Sequence, residues 1–326
     1  YNRAEQKLKG VTASGTWSSA TSLPATTTNA GGAGIQTAAL FFGGRSGGAQ
    51  RTQTLEYNGL GYSSGGAMGT ARQQMGTAGT QTAALAATGA VEGPSSCPTE
   101  SEEYNGTSWT AGGSVSTARF ASGGAGTQTS AVIAGGRLGP GTWSAVTEEY
   151  GGTSWTSGGA LNQTKTLNGA MTGSLTAAVA FGGDGNQPTA AVDDLTFYDG
   201  TSWTEVGSLP GVQRNGGSAG PQTASILFGG STSPSTNAFR FDGTSFSATG
   251  SMASVTTSPA PAANASDNNT ALSMGGYGSS AYLSKTEEYN FTANTVVQAA
   301  WSSGGNMGSA LWSRAGGGTQ TAAISA

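Results

Sequence analysis

The chain contains no histidine and only one cysteine, Cys97, in 326 residues. Without imidazole, Ser-His-Asp and Cys-His nucleophile systems, histidine metal sites and histidine pH switches are all excluded. A single thiol allows neither an intrachain disulfide nor a cysteine-rich zinc cluster, so packing and backbone hydrogen bonds must hold the fold. Charge is scarce as well: 9% of residues are charged and the formal net charge is -4, which leaves no basic field for phosphate backbones and makes nucleic acid an unexpected partner. No run approaches the roughly 18 apolar residues of a membrane span. Tyr1 to Lys9 carry charges where a signal peptide needs an apolar stretch, and no membrane insertion is expected. The chain also lacks an initiator Met and is expected to be a piece of a longer protein.

Large aliphatics are few. Leu, Ile, Val and Phe together make about 13% of the chain, a level that composition alone associates with disorder, while Gly 56 and Pro 10 make about a fifth of it. The periodicity overrides that prior. The phrase Gly34-Ile35-Gln36-Thr37-Ala38-Ala39-Leu40-Phe41-Phe42-Gly43-Gly44 returns around Gln81, Gln128, Leu175, Gln222, Asn268 and Gln320, at spacings of about 45 to 52 residues, the range of four-stranded propeller blades. A second phrase, Glu102-Glu103-Tyr104-Asn105-Gly106-Thr107-Ser108-Trp109, follows each of the first six. Its Tyr position recurs as Tyr57, Tyr150, Tyr198, Phe241 and Tyr289; its Trp position recurs as Tyr62, Trp155, Trp203, Phe246 and, after an insertion, Trp301.

Both phrases read as strands. Alternate residues of Thr37 to Phe42 face opposite ways in a short two-sided apolar strand that glycines end. Asn58-Gly59, Asn105-Gly106, Gly151-Gly152, Asp199-Gly200 and Asp242-Gly243 fall in one register between the Tyr and Trp positions, which is hairpin chemistry. Abundant Ala, Gly, Ser and Thr suit sheets that narrow toward an axis. The expected fold is therefore all-β: a seven-bladed propeller of four-stranded antiparallel blades spanning residues 1–326 as one domain. N-terminal outer strands are expected to pair with C-terminal inner strands, residues 1–19 and 306–326 together forming the closing blade.

These residues resemble the kelch family of β-propellers, in which an Arg opens the innermost strand and an apolar strand ending Gly-Gly, a Tyr and a Trp follow. This chain offers Arg119, Gly135-Gly136, Tyr150 and Trp155 in one repeat, Arg72, Thr88-Gly89, Tyr104 and Trp109 in another, and Arg214, Gly229-Gly230, Phe241 and Phe246 in a third. It departs from the pattern at Pro261, near where an Arg would lie, and in the repeat of Gly182-Gly183, where Lys165 or a neighbour replaces one. The wording Gly-Thr-Gln-Thr-Ala-Ala with Glu-Glu-Tyr-Asn-Gly-Thr-Ser-Trp is similar to repeat proteins encoded by tailed phages of marine bacteria. That resemblance implies a virion-associated role.

In such a fold the loops from second to third strand share one face with the links between blades, and here they differ in every repeat: Arg45 to Gln53, Ala90 to Ser101, Arg137 to Val146, Asp184 to Asp193, Ser231 to Asn237 and Tyr277 to Lys285. Variation on a uniform scaffold is where recognition is placed. The candidate ligand-binding residues are Arg45, Arg51, Arg137, Trp143, Tyr277 and Tyr282, suited to stacking on sugars or anchoring a protein. Long connections at Asn2 to Thr16 and Asn290 to Ala300 mark a second candidate surface, with Arg3, Glu5, Lys7 and Lys9 for docking another subunit.

The pairs Glu102-Glu103, Glu148-Glu149 and Glu287-Glu288 read as structural, because adjacent strand residues face opposite ways whereas glycosidase carboxylates converge. Arg72, Arg119, Arg214 and Arg314 are weighed as an anion ring against repeat consensus, and consensus is preferred. Asp184, Asn186, Asp193 and Asp194 lack the spacing of a calcium loop, and Asp199 to Trp203 reads as a hairpin turn. Asn105 and Asn290 open sequons that the repeat itself accounts for.

The expected function is a non-catalytic virion display module for attachment to a host-surface glycan or protein, with no metal and no cofactor. Its expected partners are other virion proteins and a host receptor, with homo-oligomerisation through flanking segments. The alternatives are a structural capsid or tail decoration, then a secreted bacterial adhesin or a histidine-free glycan-active enzyme.

Overall fold

The computed structural model describes residues 14–91, 96–185, 191–230, 235–263 and 267–292, with the short pairs Gly316–Gly317 and Ile324–Ser325. Its regular structure is all β, in antiparallel sheets. Blade 1 comprises Gly31–Ile35, Ala38–Phe42, Thr54–Tyr57 and Tyr62–Ser64, and blade 2 Gly76–Thr80, Ala83–Ala87, Glu100–Tyr104 and Trp109–Ser114. Blade 3 holds Gly123–Thr127, Ser130–Ala134, Thr147–Tyr150 and Trp155–Ser157; blade 4, Met171–Ser174, Ala177–Gly185, Ala191–Tyr198 and Trp203–Ser208. Blade 5 is built from Gly217–Ala219, Ser225–Phe228, Ala238–Phe241 and Phe246–Ala248.

Blade 6 corrects the expected count. Its inner strands are Ala260–Ala263, Thr270–Met274 and Thr286–Thr292, and its outermost strand is Ser14–Ala20, from the other end of the chain. Trp17 lies opposite Tyr289 in register, with ring centroids 5.3 Å apart, and so fills the slot the sequence assigned to Trp301. The innermost strands then touch in sequence around an axis, with Ala260–Ala263 against Gly31–Ile35, and the ring closes at six. Residues 14–19 therefore belong to blade 6 rather than to a seventh, and the described blades close without residues 306–326. The remaining residues of 1–13 and 293–326 lie outside the described residues, apart from the antiparallel pair Gly316–Gly317 with Ile324–Ser325, which belongs to a separate unit. Pairing the first strand into the last blade removes the open edges that two unclosed ends would leave.

Near the axis the chains come so close that side chains are forbidden. A Cβ on Gly32 would sit 2.2 Å from the Pro261 carbonyl oxygen, and one on Gly124 2.4 Å from that of Thr77. Farther out, every seam between blades carries apolar residues. Leu40 and Phe42 of blade 1 meet Ala84, Ala86 and Tyr104 of blade 2, with Trp109 packed on them, and Val132 of blade 3 clusters with Ala178, Tyr198 and Trp203 of blade 4.

Two repeated polar devices tie blade to blade, and a third acts within blades 2 to 4. The amide Nε2 of Gln81 donates to the carbonyls of Ala39 and Tyr57 in the preceding blade, as Gln36, Gln128, Gln222 and, by its Nδ2, Asn268 do in theirs. The Tyr hydroxyls donate backward too: Tyr57 to Glu288, Tyr104 to Glu56, Tyr150 to Glu103 and Tyr198 to Glu149. Where blade 5 has Phe241 instead of Tyr, blade 4 has Phe197 instead of Glu, and the rings meet edge to face at 6.0 Å. Within blades 2 and 3, the other Glu of the pair neutralises the buried cation that opens the blade, Arg72 with Glu102 at 2.7 Å and Arg119 with Glu148; in blade 4 Asp194 does so for Lys165, and in blade 6 Glu287 instead accepts from the N–H of Ala253. The consecutive carboxylates thus serve opposite faces of a strand, in the structural role their recurrence implies.

Candidate functional site

The links between blades form a belt around the axis on the loop face. The backbone N–H of Gln74 donates to the Asn29 carbonyl at 2.9 Å, Ala121 to Gln74 at 2.8 Å, Leu167 to Ala121 at 2.9 Å, Ser258 to Asn215 at 2.7 Å and Asn29 to Ser258 at 3.2 Å. To make these bonds, Asn29, Gln74, Ala121, Asn215 and Ser258 all adopt positive φ, between 52° and 56°. For L-residues this region is disfavoured, and it persists where surrounding bonds over-determine it. The blade 4 link, Lys165 to Ala170, is one residue longer than its counterpart Arg72 to Gly76. Its Asn168 Nδ2 donates to Asn29 Oδ1 of blade 1 at 3.1 Å. The side chain is 8% exposed and spans the axis, joining opposite blades.

Above the belt, off the axis over blades 1 to 3, lies a cavity of about 590 Å³. The position just after the glycines of the second strand pairs with the link residue before the belt: Arg45 with Thr28, Ala90 with Gln73, and Arg137 with Phe120. This pairing holds the hairpins Arg45–Ser46 with Ala49–Gln50 and Arg137–Gly139 with Thr142–Trp143 upright on the belt. Arg45, Gln50 and Arg137 form the rim, while Asn29, Gln73, Gln74 and Phe120 line the cavity from the links.

The electrostatics of this cup are one-sided. No Asp or Glu lines it among the described residues, and neither Arg45 nor Arg137 has a salt bridge or a side-chain hydrogen bond there. Arg137 is instead held by stacking, its guanidinium carbon 4.8 Å from the Trp143 ring centre and 5.8 Å from that of Phe120. Gln73 is only 7% exposed, and its Oε1 is buried without a hydrogen-bond partner. Cys97 packs against Ala90, Phe120 and Ala121, and burial pushes its thiol up, which makes it a poor nucleophile.

Of the residues the sequence singled out, Arg45 and Arg137 come together in the cup. Trp143 is partly exposed, with Arg137 stacked on its ring. Arg51 donates its Nη2 to the Ser46 carbonyl at 3.0 Å and braces a hairpin. Tyr277 and Tyr282 pair edge to face at 5.8 Å across the blade 6 loop, outside the cup lining. Arg3, Glu5, Lys7 and Lys9 lie outside the described residues. Arg72 and Arg119 form no anion ring, since each is buried against its own glutamate; Arg314 lies outside the described residues. Asp184 bonds Arg214 at 3.2 Å and Asp194 bonds Lys165, and no three His, Cys, Asp or Glu side chains gather as metal ligands among the described residues. Asp199 Oδ1 accepts from the N–H groups of Thr201 and Ser202, the hairpin-turn role read from its sequence, and these bonds hold its carboxyl below the usual range.

Sequence reasoning missed Asn29, Gln50, Gln73, Gln74 and Phe120. All but Gln50 precede an innermost strand at two fixed positions of the repeat, in links that looked like plain connectors. Comparison of the chain with protein-family profiles and with curated proteins gives no match.

Proposed function

We propose that this propeller is a non-catalytic recognition module that binds its target through the loop face, with the cup over blades 1 to 3 at the centre of contact. The observation that carries the reading is the contrast between a frame of near-identical interblade bonds and a cavity lined by two cations the frame does not neutralise. Clefts with a few convergent polar groups are the usual form of a ligand site. Kinship with kelch-type propellers belongs to the same proposal. It is supported by the Arg–Glu pair inside a blade, the Gly-Gly end of the second strand and the Tyr–Trp stack, whose ring centroids lie 5.2 Å apart in blade 2 and 4.8 Å in blade 3.

In the biological setting we propose, the module is displayed on a phage virion among other virion proteins and attaches to a surface glycan or protein of a marine bacterial host, a setting that rests on the resemblance of the repeat wording. The test is binding of the purified chain to a panel of marine bacterial strains and to a glycan array, with Trp143→Ala beside it. Saturable binding that weakens when Arg137 loses its stacking partner is expected. A folded sample that binds no cell and no glycan would overturn recognition in favour of a decoration that contacts virion proteins alone.

A further inference from the structure

The cup has a more specific chemistry than recognition in general. We propose that it binds a carboxylate-bearing saccharide, a uronic- or sialic-acid unit, with Arg45 and Arg137 on the carboxylate and Gln73 on a hydroxyl. The inference rests on the recognition reading and deepens it.

Two partly buried guanidinium groups line one cavity with no carboxylate in its described lining, and cations so placed are stabilised by an anion they can hydrogen-bond. Arg45 Nε and Arg137 Nε are both buried without a hydrogen-bond partner. The same is true of Nε in the frame arginines Arg72 and Arg119, so the distinguishing feature is charge: each frame arginine has its glutamate and each cup arginine has none. The third observation selects among anions. Gln73 is more than nine-tenths buried and its Oε1 lacks a donor, as does Gln213 Oε1 in blade 5, but of the two only Gln73 lines the cup, so a ligand there that brings a donor as well as a negative charge satisfies both needs. A sulfate or a fully ionised phosphomonoester group offers acceptors only, and inorganic phosphate has its single donor on the anion itself; an acidic sugar offers a carboxylate with hydroxyl donors a few bonds away, able to reach the cations and Gln73 at once. Asn29, Gln50 and Gln74 supply further amides for ring hydroxyls, and Phe120 and Pro140 supply apolar surface for the sugar C–H face. The volume of about 590 Å³ admits one to two sugar rings, within the usual range of small-molecule sites.

The experiment titrates the full chain with trigalacturonate, a hyaluronan tetrasaccharide and sialyllactose, following tryptophan fluorescence and heat. The Trp143 ring against Arg137 is the local reporter. Methyl-esterified trigalacturonate and inorganic phosphate run alongside. At least one acidic probe should bind saturably, and Arg45→Gln with Arg137→Gln should weaken it at least about tenfold, as expected for loss of charge-assisted bonds. Arg214→Gln, on the blade 4 and 5 side of the loop face and outside the cup lining, should leave it unchanged, and melting curves check that each variant is folded. Equal binding of the methyl ester, or competition by phosphate at equal concentration, would overturn the carboxylated saccharide. If no acidic probe binds while intact cells do, the cup inference falls and recognition stands through another surface; if neither binds, both fall.

Discussion

Arg119 and Arg137 stand in the same blade and meet opposite environments. Arg119 is fully buried, and burial pulls its guanidinium below its usual value; Glu148 offsets part of this by accepting its Nη1, along with the N–H and hydroxyl of Ser116. Arg137 sits on the rim of the cup with two aromatic rings and no carboxylate. The frame neutralises every described cation it buries fully. The positions corresponding to Arg45 and Arg137 repeat the lesson around the ring: blade 4 has Asp184 there, bonded to Arg214 of blade 5. Among the described residues, one side of the loop face is electrically closed and the other is open.

The contrast can be broken most forcefully inside the frame. Glu148→Gln leaves the Arg119 charge buried without its counter-ion, and removal of one partner from a buried pair costs about 3–5 kcal/mol. Arg137→Gln, at a partly exposed position with no ion pair, should cost less than about 1 kcal/mol. Urea denaturation of the two variants checks both; similar midpoints would mean that the cup arginine is structural after all.

The interblade bonds come next. Tyr104→Phe removes the phenol from Glu56 of blade 1 and should cost about 1–2 kcal/mol by thermal melting. The same bond has a pH signature. Burial first, then the bond to the Glu56 carboxylate, raises the Tyr104 phenol to about 12, and burial and Glu103 do the same for Tyr150. A folded value above the unfolded value of about 10 means that the fold favours the neutral phenol. This contribution is complete below pH of about 10 and is lost as the pH rises toward 12. Alkaline titration followed at the tyrosinate absorbance should therefore show a late step that coincides with loss of near-ultraviolet circular dichroism.

A smaller effect has the opposite sign. Blade 4 carries Leu175 at the position held by Gln36, Gln81, Gln128 and Gln222, so the carbonyls of Ala131 and Tyr150 in blade 3 lack the amide that joins the other seams. Leu175→Gln should restore an amide that donates to both carbonyls and, after the loss of the leucine's apolar contact, raise stability by about 0.5–1.5 kcal/mol. A lower melting temperature would show that Leu175, packed against the cluster of Val132 and Trp203, contributes more as an apolar contact.

Most of the frame was legible in the sequence because it repeats. The Tyr, Trp, Gly-Gly and Gln positions each recur in nearly every blade, and a residue repeated in register occupies an equivalent environment. The blade count was not legible, because Trp-Ser-Ser occurs at both Trp17 and Trp301 and only pairing decides which one completes the slot beside Tyr289. The cup was half legible for a related reason. Arg45 and Arg137 drew notice as cations in variable loops, but Gln73 and Phe120 occupy one link position with different side chains, and no periodic signal marks residues whose role comes from convergence across three blades. The partner of Trp143 was not legible, because an aromatic ring in a loop looks the same in sequence whether it faces a ligand or a neighbouring guanidinium.

The closed side of the loop face allows the mildest change to the comparison. Asp184 and Arg214 are both partly exposed, and an ion pair of that kind contributes about 0–1 kcal/mol, so Asp184→Asn should barely move the melting temperature. Its consequence is electrostatic. The variant leaves Arg214 un-neutralised on the blade 4 and 5 side, imitating the rim of the cup without the cup, since Gln73, Gln74 and Phe120 line a cavity on the other side only among those described. If charge alone drew acidic saccharides, the variant would acquire a second binding event of comparable affinity. If the cavity and its amides are required, the added binding should be weak, should disappear above about 0.15 M salt, where the screening length falls to about 8 Å, and should leave the stoichiometry of the tight phase at one. Calorimetric titration of trigalacturonate into the variant at low and high salt separates the two outcomes.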